Sequence, residues 1–253
     1  MIIPRLTLIG AGPGDEELIT LKGIKAIEQA DVILYDALAN ESLLKYTRPN
    51  TPVIFVGKRA GSSAFTQEEI NTLIIENAYR YGHVVRLKGG DPLVFGRAVE
   101  EMEAVRAEGI ACKIVSGVSS SIAVPAAIGI PVTARGVAES FWVLTGTTST
   151  GELSKDIQLA AQSSATIVIL MGMNKLEEIC EIFESFGKAH TPAAIIQHGT
   201  TAKQRHVLGD VSNIAEQAQK KNLGNPAVIV IGEVVSLCPE YVFSVGQVCN
   251  LSL

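Results

Sequence analysis

Arg86-Leu-Lys-Gly-Gly-Asp-Pro-Leu-Val-Phe-Gly-Arg97 places a compact polar turn between an apolar strand and a helical run. Val84 to Leu87 supplies the strand, Gly89 and Gly90 let the backbone turn close to a ligand, and Asp91-Pro92 fixes a carboxylate at the exit. Taken alone, an ordinary glycine-rich corner would account for the segment equally well. Its weight comes from a second such turn, Gly10-Ala-Gly-Pro-Gly-Asp15, after the apolar strand Leu6 to Ile9. There the third glycine arrives one residue early for G-x-G-x-x-G and Pro13 stiffens the turn, so the pyrophosphate cradle of dinucleotide-binding folds is not met. Asp36, closing the strand Asp31-Val-Ile-Leu-Tyr35, would be the ribose-binding acid of an NAD-dependent oxidoreductase, which stands as an alternative.

Outward from these turns, strands are expected at 3–9, 31–35, 53–56, 83–88 and 111–115, with helical periodicity over 18–30, 41–46, 67–81 and 97–108. Repeated strand–helix units imply a mainly parallel sheet covered by helices. Thr66 with Glu69 reads as a capping box for the third helix. After Ser116-Gly-Val-Ser-Ser-Ser121 the character changes, and Pro131 breaks a small apolar run, so the chain is cut into residues 1–118, residues 119–240 and a tail, 241–253. The second half offers strands at 140–145, 165–171, 193–197, 204–208 and 227–231, and helices at 152–162, 174–186 and 211–221. Gln204 to Leu208 follows Gly199-Thr-Thr-Ala too closely for a helix, which predicts an antiparallel hairpin and a mixed sheet. The fold class is therefore α/β: two α/β domains with a central cleft, the first sheet mainly parallel and the second mixed. Ligands of such sheets sit beyond the carboxyl ends of strands, which selects the loops at 10–15, 36, 58, 89–97, 116–121, 171–173 and 197–201.

The chain has 253 residues and a formal net charge of -5, so whole-molecule attraction to nucleic acid is not supported. No 18-residue apolar run exists and the start carries no basic leader, so neither a membrane span nor a signal peptide is expected. Cys112, Cys180, Cys238 and Cys249 show no C-x-x-C spacing, and the four histidines are scattered. Neither structural zinc nor a disulfide scaffold is expected; a reducing, cytoplasmic setting is.

The chain resembles the tetrapyrrole methylases over nearly all of residues 4–240. The resemblance rests on Gly10-Ala-Gly-Pro-Gly-Asp15, Val56-Gly-Lys-Arg59, Gln67-Glu-Glu-Ile-Asn71, the segment 86–97 and Asn225-Pro-Ala-Val-Ile-Val-Ile-Gly-Glu-Val-Val235. It implies a homodimer whose two domains enclose S-adenosyl-L-methionine, released as S-adenosyl-L-homocysteine. It further implies two successive methylations of uroporphyrinogen III, giving precorrin-2 by way of precorrin-1 for the siroheme and cobalamin branches. Where the family commonly has Val-Pro-Gly and Thr-His-Arg, this chain has Val115-Ser-Gly117 and Thr133-Ala-Arg135. Those departures open the alternative of a paralogue acting on a later corrinoid precursor. No fused dehydrogenase and ferrochelatase module is expected.

By the same resemblance, Pro13, Gly89, Gly90, Asp91, Val94, Ser119, Ser120 and Met171 would surround the cofactor, with Gly199 and Thr200 added from the loop at 197–201, and no metal is expected. The first domain would form the tetrapyrrole side of the cleft and the second the cofactor side. Ser119 and Ser120 also suit helix capping, and Met171 also suits a core position at a strand end. Because uroporphyrinogen III carries eight carboxylates, an acidic enzyme must hold it with a local basic rim, for which Lys58, Arg59, Lys88, Arg97, Arg135, Lys203 and Arg205 are the candidates. Lys58 and Arg97 lie in the family motifs, and Asp36 is the candidate base and charge stabiliser. The plainer role for Asp36 is to cap a helix starting near Asn40.

Overall fold

The computed structural model describes residues 2–57 and 65–241. Lys58, Arg59 and nearly all of the 241–253 tail therefore lie outside the described residues. The chain divides into two compact units that meet in sequence at Ser120 and Ser121.

The first unit is a five-stranded sheet in the order β3-β2-β4-β1-β5. Its strands are β1 (Arg5–Gly10), β2 (Val32–Tyr35), β3 (Val53–Phe55), β4 (His83–Lys88) and β5 (Ala111–Val115), and every pairing is parallel. Helix α1 (Leu21–Glu28) covers one face through Ile27 against Ile9, Ile33 and Leu87. Helices α2 (Gln67–Tyr81) and α3 (Ala98–Ala107) cover the other, through Ile70, Ile74 and Val105 against Leu6, Leu8 and Val84. Thr66 and Glu69 form the capping box that the sequence predicts, each side chain bonding the other's backbone N–H. The helical periodicity at 41–46 folds as a 3₁₀ segment, Glu41–Tyr46. Its N-cap is Asn40, whose side chain accepts from the Ser42 N–H, so the helix-cap role considered for Asp36 is filled by another residue.

This order places a switch point between β1 and β4. The two strands are parallel neighbours, yet the helices that follow them lie on opposite faces of the sheet. Crevices for ligands open at such points, at the carboxyl ends of the strands.

Helix α4 (Ser120–Ala126) begins at the last residue of the first unit and leads into the second, whose sheet runs β6-β7-β10-β8-β9. The strands are β6 (Phe141–Thr145), β7 (Thr166–Leu170), β8 (Pro192–Gln197), β9 (Arg205–Asp210) and β10 (Ala227–Ile231). Only β6 and β7 pair in parallel, and the β8–β9 hairpin is antiparallel, so the sheet is mixed as expected. Helices α5 (Asp156–Gln162), α6 (Leu176–Ser185) and α7 (Val211–Lys220) bury one face through Ile157, Ile179, Phe183 and Ile214. Val124 of α4, together with Val234 and Val235, covers the other. Among the described residues no helix is long and apolar enough to cross a membrane, and no group of three or more His, Cys, Asp or Glu could hold a metal ion.

Candidate functional site

In the first unit, the three loops leaving β1, β4 and β5 are packed backbone to backbone. Gly12 and Gly90 exchange N–H···O bonds of 3.2 and 2.7 Å, and the Ala11 N–H donates to the Lys88 carbonyl at 2.7 Å. A Cβ on Gly10 would lie 2.4 Å from the Gly117 Cα, and one on Gly117 would lie 2.3 Å from the Gly90 oxygen. No side chain fits at either position. Gly90 differs: its φ is +65°, and a Cβ there would meet nothing nearer than the Ser120 nitrogen at 3.8 Å. Its free side is open, next to Ser120, which like Ser119 is half-buried. Gly89 instead backs onto Leu38, whose Cβ would be 2.5 Å from a Cβ built there.

Asp91 braces this arrangement. One carboxylate oxygen accepts from the Leu93 N–H at 2.8 Å and the other from the Gly117 N–H at 3.0 Å, tying the β4 loop to the β5 loop. A ligand ammonium or hydroxyl would have to use the remaining lone pairs of those oxygens. Pro13 sits half-buried in its turn, which Asn40 anchors by donating to the Gly14 carbonyl at 2.8 Å. Beyond Asp91 the loop presents Leu93, Val94 and Phe95 to solvent. Phe95 (φ 52°) and Arg97 (φ 56°) both take left-handed backbone, which side chains other than glycine rarely adopt and which clusters at binding loops. The Arg97 guanidinium forks onto Glu100 through contacts of 3.0 and 2.6 Å, which raises the arginine's proton affinity and lowers that of the carboxylate.

A chain of buried charges lies along β4. Arg86 and Lys88 are 3% and 5% exposed, and both bond the same oxygen of Glu101 on α3, which is 0% exposed. The distances are 3.1 Å from Arg86 Nε and 2.9 Å from Lys88 Nζ. Arg86 Nη1 donates to the Leu87 carbonyl at 3.0 Å, and Nη2 reaches Asp36 at 3.3 Å. The other Asp36 oxygen accepts from the Leu38 N–H at 3.1 Å, closing a tight turn at the end of β2. Lys88 therefore leaves the proposed basic rim: burial holds it inside the unit, bonded to Glu101. Glu101 carries no motif that sequence reasoning could use. Its one signal is position, because Ala98, Glu101 and Val105 share the buried stripe of α3.

Burial, followed by the neighbouring Arg86, lowers the Lys88 ammonium below the usual lysine range, and Glu101 partly offsets this. A depressed lysine penalises the fold while it is charged, and stability rises with pH between its folded value and the ordinary one, where the unfolded chain binds more protons. Glu101→Gln is expected to depress Lys88 further and to destabilise by roughly 3–5 kcal/mol near neutral pH, as for one partner removed from a buried pair. That loss should shrink as the pH approaches the ordinary lysine value. Denaturant midpoints of both proteins at neutral and alkaline pH test this; a difference independent of pH would contradict it.

In the second unit, the ends of β6, β7 and β8 lie along one edge of the sheet. A Cβ on Gly146 would fall 2.3 Å from the Gly172 Cα, so the first two loops also meet through backbone. Met171 is 48% exposed with a left-handed φ of 56°, which answers the core alternative: it is presented at the strand end, not packed inside. Thr147 Oγ1 donates to its carbonyl at 2.9 Å. After β8, His198 (φ 49°) and Thr200 (φ 66°) flank Gly199, where a Cβ would collide with Val124 of α4 at 2.4 Å. Thr200 N–H donates to the Gln204 side chain at 2.7 Å. Arg135, Lys203 and Arg205 are exposed, and Arg205 donates to the Lys221 carbonyl.

Comparison with known proteins agrees with this architecture. The family model of the tetrapyrrole (corrin/porphyrin) methylases matches residues 5–215. The chain is 47% identical to a uroporphyrinogen-III C-methyltransferase of Methanocaldococcus jannaschii, with 92% of this chain and 97% of that protein covered. It is 43% identical to a siroheme synthase of Actinobacillus succinogenes over 92% of this chain and 48% of that protein, so it spans about half the length of that relative. The structure of a Thermus thermophilus uroporphyrin-III C-methyl transferase complexed with S-adenyl homocysteine superposes with a TM-score of 0.79 at 35% identity, covering 92% of this chain and 99% of that one. A glycine-packed parallel sheet, a mixed second sheet and these matches lead to one assignment: the chain belongs to the tetrapyrrole methylase family.

Proposed function

We propose that the chain transfers methyl groups from S-adenosyl-L-methionine to uroporphyrinogen III, twice in succession, giving precorrin-2 by way of precorrin-1. The observation that carries this reading is the 47% identity sustained over 97% of a uroporphyrinogen-III C-methyltransferase. The open side of Gly90 leaves room for a bulky cofactor lying close to backbone, and a Thermus relative was solved with S-adenyl homocysteine. When bound, the cofactor supplies an electrophilic sulfonium methyl and leaves as S-adenosyl-L-homocysteine. Its proposed contacts are Pro13, Gly89, Gly90, Asp91, Val94, Ser119, Ser120, Met171, Gly199 and Thr200.

The protein's own task is placement and proton handling. A pyrrole carbon held roughly 3–3.5 Å from the methyl, in line with sulfur, attacks without further activation. Positive charge then develops on the ring, and a proton must leave it. Asp36, half-buried with its charge balanced by Arg86, is the carboxylate proposed to stabilise that charge and accept the proton. Arg97, exposed at the start of α3, and Lys58 are proposed to bind substrate carboxylates. We further propose a homodimer in the cytoplasm, a setting that suits the free Cys112, Cys180 and Cys238; sedimentation of a fully active chain as a monomer would contradict the dimer.

Arg97→Ala should weaken uroporphyrinogen III binding and leave the cofactor's affinity unchanged. A charged hydrogen bond contributes about 1.5–3 kcal/mol, less here because Glu100 competes for the guanidinium. Anaerobic titrations of both ligands check this, and equal substrate affinity in the two proteins would remove Arg97 from the site. The acceptor itself is tested by offering uroporphyrinogen III and a later corrinoid precursor in competition for limiting labelled cofactor. Label should enter uroporphyrinogen III; label found only in the corrinoid would mark a later step of the pathway.

A further inference from the structure

We propose that Glu101 is a positioning residue for methyl transfer, holding Arg86 so that Arg86 aims and balances the Asp36 carboxylate. The inference rests on the reading of Asp36 as the base, and it adds a residue that no ligand can touch. Glu101 is 0% exposed, and one of its carboxylate oxygens has no hydrogen-bond partner among the described residues, an arrangement that core packing alone does not favour. Its other oxygen binds two cations, Arg86 at 3.1 Å and Lys88 at 2.9 Å. Lys88 thereby fixes the carboxylate from a second side.

The guanidinium transmits this placement because it is planar. With Nε on Glu101 and Nη1 on the Leu87 carbonyl, the plane and the direction of Nη2 are set, and Nη2 meets Asp36 at 3.3 Å. Asp36 is the only one of the four charged groups that reaches appreciably toward solvent, its side chain being 24% exposed against 4% for Arg86, 6% for Lys88 and 0% for Glu101. Two cations and two carboxylates balance, so removing the charge of Glu101 leaves an uncompensated positive charge behind the base. Buried charge sets that break local packing rules belong where function demands them.

A double-substitution cycle in the full chain tests the inference, read as the single-turnover rate of methyl transfer to uroporphyrinogen III at saturating S-adenosyl-L-methionine. Glu101→Gln should slow the step by roughly 10- to 100-fold, taking the size seen when a residue that orients a metal ligand is removed. It should leave cofactor affinity unchanged and have no further effect in an Asp36→Asn background, because neighbours acting through one group are not additive. Arg86→Lys keeps the buried charge but loses the planar fork; it should behave in the same way, and it decides the matter if Glu101→Gln does not fold. A full rate in folded Glu101→Gln or Arg86→Lys would overturn the inference, as would slowing that multiplies with that of Asp36→Asn. A wild-type rate in Asp36→Asn alone would instead defeat the reading of Asp36 and the inference built on it.

Discussion

Asp36→Asn is expected to lower single-turnover methyl transfer by roughly 10²–10⁴-fold, the contribution of a positioned general base, with cofactor affinity retained. Asparagine keeps the size of the side chain and an oxygen to accept from the Leu38 N–H, so the turn after β2 should survive. What it loses is the charge facing Arg86 and the capacity to take a proton. Because the following 3₁₀ segment is capped by Asn40, a rate loss at Asp36 cannot be assigned to a lost helix cap. The measurement is methyl transfer at saturating cofactor and substrate, with folding checked by circular dichroism. A folded variant running at the wild-type rate would end the claim that this carboxylate takes part in the chemistry.

Gly90→Val should weaken S-adenosyl-L-methionine binding roughly 10- to 100-fold, the equivalent of about 1–3 kcal/mol of steric conflict. The added side chain would enter the open space beside Gly90, while Gly10 and Gly117 behind it have no room for any side chain. Valine at φ +65° is also strained, so backbone strain and ligand obstruction need separating. Gly109→Val supplies the control: its φ is +71°, nothing among the described residues lies within 4 Å of a Cβ there, and it sits in the turn between α3 and β5. Calorimetry should find the affinity lost in Gly90→Val and intact in Gly109→Val. Equal affinity in both would remove the Gly90 loop from the cofactor site.

Much of the fold was legible because its signals are local. β4 and β5 occupy the residues that the apolar runs mark, α2 runs from its capping box to Tyr81, and the short link before Arg205 does force an antiparallel hairpin. The helical periodicity at 41–46 is realised as a 3₁₀ segment, because a stretch of 6 residues is too short for its pattern to distinguish 3₁₀ from α geometry. Of the site, the loops were legible because glycine spacing reports backbone proximity. The roles within them were less so. That Asp91 also holds the Gly117 N–H depends on how the β4 and β5 loops meet, and that Lys88 turns inward to Glu101 depends on how β4 faces α3; no local pattern encodes either. The left-handed Met171 and Thr200 were equally hidden, since tertiary packing imposes a conformation that their own propensities oppose.

The most direct test of the central claim is an anaerobic incubation of the chain with uroporphyrinogen III and methyl-labelled S-adenosyl-L-methionine, the tetrapyrrole product being followed by mass over time. A monomethylated species should rise and then fall as a dimethylated one accumulates, with two equivalents of S-adenosyl-L-homocysteine released for each dimethylated product. Active, folded chain that leaves uroporphyrinogen III unmethylated while transferring label to another acceptor would contradict it.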